Sequence, residues 1–89
     1  MADARLSIGT DPFMTASELQ DMLVAALARR CGGTQRRWRL ALGPVRALSI
    51  DTHPHCNWAV RPEGSAYEIA EIEALLDRVR LTHPIVDTP

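Results

Sequence analysis

The stretch "QRRWRLALGPVRALSID", residues 35–51, decides how the chain is read. Trp38, Leu40 and Leu42 alternate with Arg37, Arg39 and Ala41, which is the two-residue period of a half-buried strand. Gly43-Pro44 signals a turn. Beyond it, Leu48 and Ile50 alternate with Ala47, Ser49 and Asp51. A three-residue loop from Gly43 to Val45 would pair Leu40 with Leu48 and Trp38 with Ile50. That gives the hairpin one apolar face and one polar face, and the apolar pattern sets the register.

Upstream, "TASE" predicts a helix start. Thr15 is the N-cap and Glu18 stands at the third helical position, so the pair forms a capping box. Leu19, Met22, Leu23, Ala26 and Leu27 follow at helical spacing. Arg29 and Arg30 suit the negative end of the helix dipole, and Gly32-Gly33 stops it. The helix is expected over about residues 16–31. Val24, Ala25 and Ala28 fall outside its stripe and read as surplus apolar surface.

Downstream, "CNWAV" reads as a third strand with Cys56, Trp58 and Val60 facing the core. Ser65 and Glu68 form a second capping box and open a helix to about residue 82, with a stripe of Ile69, Ile72, Leu76 and Val79. His83 precedes Pro84 and is disfavoured in the helical region. "THP" closes an element at 52–54 and again at 82–84, a shared terminator and not a repeat. The expected fold is therefore α+β, a two-layer α-β-β-β-α domain in which two helices pack on one face of a three-stranded antiparallel meander. Residues 1–13 read as a flexible segment with "RLSI" as a short edge strand, 14–85 as the single domain and 86–89 as a tail.

Composition narrows the function. The chain has 89 residues, 46% hydrophobic and 24% charged, with a net charge of −1. That is one globular domain with no global pull toward nucleic acid or anionic lipid. No lysine occurs, and a GC-rich genome explains the all-arginine set. The longest apolar run, "MLVAALA", is far short of a membrane span, and the first ten residues lack a signal-peptide core. The protein is expected to be cytoplasmic, with Cys31 and Cys56 as reduced thiols. No cofactor motif appears.

"DTHPHCNW", residues 51–58, carries the most chemistry. His53, His55 and Cys56 make a metal-binding alternative, but a single irregular cluster is not the paired-ligand pattern of a structural zinc site. Adjacent strand residues face opposite ways, so His55 is badly placed to activate Cys56. The preferred reading is a connection between strands. The runner-up reading of function, ahead of the metal site, is nucleic-acid binding through Arg36, Arg37, Arg39 and Arg46. The αβββα order is similar to that of double-stranded-RNA-binding domains. That family places a lysine-rich motif at its second helix, whereas "GSAYEIAEIE" is acidic here. The expected open sheet face also lacks the aromatic rings on which single strands stack.

The favoured reading is a non-enzymatic protein-interaction module, self-associating or serving an unidentified protein partner. The small residues expected on the open sheet face would let another surface approach closely. The second helix also carries an extra stripe of Tyr67, Ala70, Ala74 and Leu81 opposite its core stripe, more apolar surface than one core consumes. Tyr67, Ala70, Ala74, Arg37 and Arg39 are the expected contact residues.

Overall fold

In the computed structural model, which describes residues 13–87, the stretch that decides the fold is a helix followed by a short strand. The elements are α1 (Ala16–Cys31), α2 (Gln35–Leu42), β1 (Arg46–Ala47), β2 (Trp58–Ala59) and α3 (Ala66–Thr82). The described residues hold one two-stranded antiparallel sheet, with Arg46 opposite Ala59 and Ala47 opposite Trp58. The expected three-stranded meander is thus replaced by three helices and a small β-pair.

The reason is local. The Thr34 hydroxyl accepts a hydrogen bond from the Arg37 amide at 3.1 Å and caps α2. Gly43, at φ 72°, ends it, and its N–H donates to the Arg39 carbonyl at 3.1 Å. Glycine enters this left-handed region without the Cβ clash that penalises other residues. Gln, Arg, Leu and Ala also favour helix over strand. Trp38 and Leu42 lie inward in either period, because four residues is both two strand repeats and one helical turn. The discriminating positions are 40 and 41. Leu40 is 66% exposed and Ala41 only 2%, so the inward set is 38, 41 and 42, a helical one.

The hairpin register Leu40–Leu48 and Trp38–Ile50 is therefore not formed, and Ile50 is half exposed. The expected open sheet face is absent as well, since Ala41 belongs to the core. "CNWAV" does supply a strand, reduced to Trp58–Ala59, and it pairs with β1.

Both capping boxes form. In α1, Thr15 and Glu18 exchange side-chain and backbone hydrogen bonds of 2.9 and 3.1 Å. In α3, Ser65 and Glu68 do the same. Each box satisfies two N–H groups that a helix start otherwise leaves unpaired. α1 buries Leu19, Leu23, Val24 and Leu27, α2 buries Trp38 and Leu42, and α3 buries Ile72, Leu75, Leu76 and Val79. Val24, expected on a flank, is fully buried. α1 packs against both α2 and α3, so it needs a wider apolar face than a helix with one neighbour.

The two tryptophans tie the ends of elements together. The Trp38 indole N–H donates to the Gly32 carbonyl beyond α1, and the Trp58 indole N–H to the His83 carbonyl beyond α3, both at 2.8 Å. Buried indoles need such a partner. Asn57, 1% exposed, clamps the chain after α3. Its Nδ2 donates to the Val86 carbonyl at 2.9 Å, and its Oδ1 accepts from the Val86 amide at 2.7 Å. Val86 is itself in the core. The Asp87 amide then donates to the Met14 carbonyl at 2.7 Å, which joins this segment to the entry of α1.

The two "THP" segments build the same terminator. The His53 and His83 amides donate to the carbonyls four residues back, at 2.8 and 2.7 Å. The Thr52 and Thr82 hydroxyls reach the carbonyls three residues back, and each lies 2.8 Å from Nδ1 of the following histidine. The proline then prevents further helix. The expected flexible segment 1–13 and its "RLSI" strand lie, except for Phe13, outside the described residues.

Candidate functional site

α3 carries two apolar faces. At about 100° per residue, Tyr67, Ala70, Ala74 and Leu81 fall within about 60° of one another. The buried Ile72, Leu75, Leu76 and Val79 lie roughly opposite. The structure leaves the outer stripe open: Tyr67 is 58% exposed and Leu81 84%, and Ala70 and Ala74 are exposed. Leu40 on α2 is a further exposed apolar side chain that alternation hid.

The start of α3 is braced electrostatically. Arg37 on α2 donates two hydrogen bonds to Glu68, Nε to Oε2 at 2.7 Å and Nη2 to Oε1 at 2.6 Å. This planar fork matches a carboxylate. The same Oε1 accepts from the Ser65 amide at 2.9 Å. The Arg37 hydrogen bonds first, and the Ser65 backbone second, hold the Glu68 carboxyl down at about 2. Glu68 in turn raises the Arg37 guanidinium above its ordinary value. Gly64 makes room for this arrangement, because a Cβ there would stand 2.6 Å from Glu68 Oε1.

Arg39 donates to Asp21 on α1 at 3.0 Å. Two of the four arginines in the nucleic-acid reading are thus paired with carboxylates. Arg36 and Arg46 are exposed and have no acidic partner among the described residues.

Cys31 sits at the end of α1 beside α3, its thiol 3.4 Å from Glu71 Oε1. Burial first, and the Glu71 carboxylate second, raise its pKa. The neighbouring thiol, burial and Glu71 also raise the Tyr67 phenol. A thiol pushed in this direction stays protonated near neutral pH and is a poor nucleophile.

The "DTHPHCNW" stretch forms the connection from β1 to β2. Asp51, His53 and His55 are exposed, and the partly buried Cys56 thiol lies 3.6 Å from the Trp58 carbonyl. Among the described residues no three His, Cys, Asp or Glu side chains converge where an ion could bind. His53, His55 and Cys56 are therefore neighbours in sequence without forming a ligand set. Among the same residues no helix is long and apolar enough to cross a membrane.

Two features of the structure escape sequence reasoning. The Arg37–Glu68 pair joins residues from separate elements, and Asn57 reads as an ordinary polar strand residue. Neither has a periodic signature. No family model, curated protein or solved structure matches the chain.

Proposed function

We propose that this chain is a small, non-enzymatic protein-interaction module of the cytoplasm, which self-associates or serves a protein partner through the outer face of α3. The observation that carries the reading is that face itself. Tyr67, Ala70, Ala74 and Leu81 form one exposed stripe on a helix whose opposite face already fills the core. A helix buried on one side needs only that side apolar, and an ordered second stripe suits a partner. The tyrosine adds large contact area at low entropic cost. The Arg37–Glu68 pair fixes the start of the helix, so the stripe is presented on a rigid element and little ordering is needed on binding.

A photo-crosslinking residue at position 67, in the full chain in cells, tests this. The expected result is one discrete product, to a single protein or to the chain itself, that fades when Ala74 is changed to Glu. No product from position 67, under conditions in which other surface positions also give none, would overturn the reading.

A further inference from the structure

The outer face of α3 is symmetric in its spacing. Tyr67 and Leu81 stand seven residues to either side of Ala74, and Ala70 and Arg78 stand four to either side. All five are exposed. We propose that the occupant of this face is the α3 helix of a second copy of the chain, antiparallel, with the two-fold axis at Ala74. This rests on the interaction-module reading above and names its partner.

A two-fold axis there seats Tyr67 of each copy on Leu81 of the other, so the two largest apolar side chains of the stripe cover each other twice. Ala74 meets Ala74 at the centre, where small side chains let the helix axes approach to about 8 Å. Such an interface is isologous, the same patch on both copies.

Charge and the spacing of the two large apolar side chains together select the direction. Glu71 and Arg78 lie on the same flank of the stripe, about 50–70° from its centre. In an antiparallel pair like flanks meet, and Glu71 of one copy comes within one residue's rise of Arg78 of the other. Two Glu71–Arg78 pairs result. Among the described residues Glu71 otherwise faces only the weak Cys31 thiol donor. The opposite flank holds Glu73 and Asp77, which repel their equivalents, although Arg80 engages Asp77 at 3.5 Å. A parallel pair brings unlike flanks together instead: Glu71 meets Glu73 of the other copy, Arg78 meets an Asp77 that Arg80 already engages at 3.5 Å, and Tyr67 and Leu81 each meet only their own equivalents.

α3 has 17 residues and is therefore about 25 Å long. One helix pair of this length lies at the small end of specific interfaces, below about 1,200 Å² in total. The dimer is accordingly reversible and depends on concentration.

Sedimentation velocity of the full chain, from about 5 to about 500 µM to span weak association, tests the proposal. The variants are Ala74→Glu, Arg78→Glu and the double variant Glu71→Arg/Arg78→Glu, each checked for folding by circular dichroism. The wild type should shift from monomer to dimer across this range. Each single variant should weaken the dimer at least tenfold, and the charge-swapped double variant should recover most of the loss. A wild type that stays monomeric throughout overturns the second copy as occupant. If the crosslink from position 67 then goes to another protein, the module reading survives; if there is none, both fall. A wild-type dimer indifferent to Ala74→Glu and Arg78→Glu overturns the α3 contact alone.

Discussion

Replacing Asn57 should cost this small protein much of its stability. Its side chain satisfies both backbone groups of Val86, at 2.7 and 2.9 Å, where the asparagine is 1% exposed and Val86 2%. Asn57→Ala strands a buried N–H and a buried C=O, each worth about 1–3 kcal/mol when left unpaired. The expected loss is about 2–6 kcal/mol, against the ~5–15 kcal/mol typical of a whole domain. Urea unfolding reports it through tryptophan fluorescence, since the Trp58 indole is bonded to His83 at the start of the same segment. Asn57→Asp separates the two bonds. Its carboxylate still accepts from the Val86 amide but sets a second acceptor against the Val86 carbonyl. Burial and that repulsion raise the folded pKa above the unfolded value of about 3.9. The folded state then holds a proton that the unfolded state releases. Stability of the variant, relative to wild type, falls as pH rises through this window and is least impaired below about pH 4. A loss under about 1 kcal/mol for Asn57→Ala, or a pH-independent deficit in Asn57→Asp, would refute the clamp.

Glu68 should govern part of the acid unfolding. Its carboxyl, held at about 2 in the fold and about 4.3 when unfolded, contributes stability that is complete above the unfolded value and lost as pH falls toward the folded one. Glu68→Gln should therefore flatten the stability profile across that interval, and side-chain NMR titration of the wild type should find the low value directly. Gly64→Ala should lower the thermal midpoint, because φ 141° and a Cβ 2.6 Å from Glu68 Oε1 both oppose a side chain; a strain of about 1–3 kcal/mol is expected. Leu40→Glu should change stability by less than about 0.5 kcal/mol in chemical denaturation, whereas Ala41→Glu should cost more than about 3 kcal/mol by burying a charge against Leu42 and Trp38. The reverse order would restore the hairpin.

The long helices were legible because several signals agreed at each. Thr15 with Glu18 and Ser65 with Glu68 mark the starts, Gly32 and His83-Pro84 mark the stops, and four or more apolar positions repeat between them. α2 has only two turns. Over eight residues a helix and a strand share positions 38 and 42, so the decision rested on Leu40 against Ala41, and size favoured the wrong one. The better signals were Thr34 three residues before Arg37 and the glycine after Leu42, a capped short helix that alternation concealed. Asn57 and the Arg37–Glu68 pair depend on contacts between distant elements, for which local pattern has no register.

Misreading α2 also changes what counts as surplus. With two helices and an open sheet, Val24 and Ala28 on α1, Ala41 and the α3 stripe all seem unused. Once residues 35–42 form a helix, α1 has two neighbours, Val24 and Ala41 enter the core, and Ala28 packs against it. The open sheet face disappears with them. The α3 stripe alone is unaffected by the correction, because no third layer lies beyond it among the described residues and Tyr67 and Leu81 stay exposed. An apolar surplus therefore identifies a binding surface only after every helix has been given its neighbours. By that standard the candidate site contracts from three surfaces to one helix face, with Ala74 at its centre.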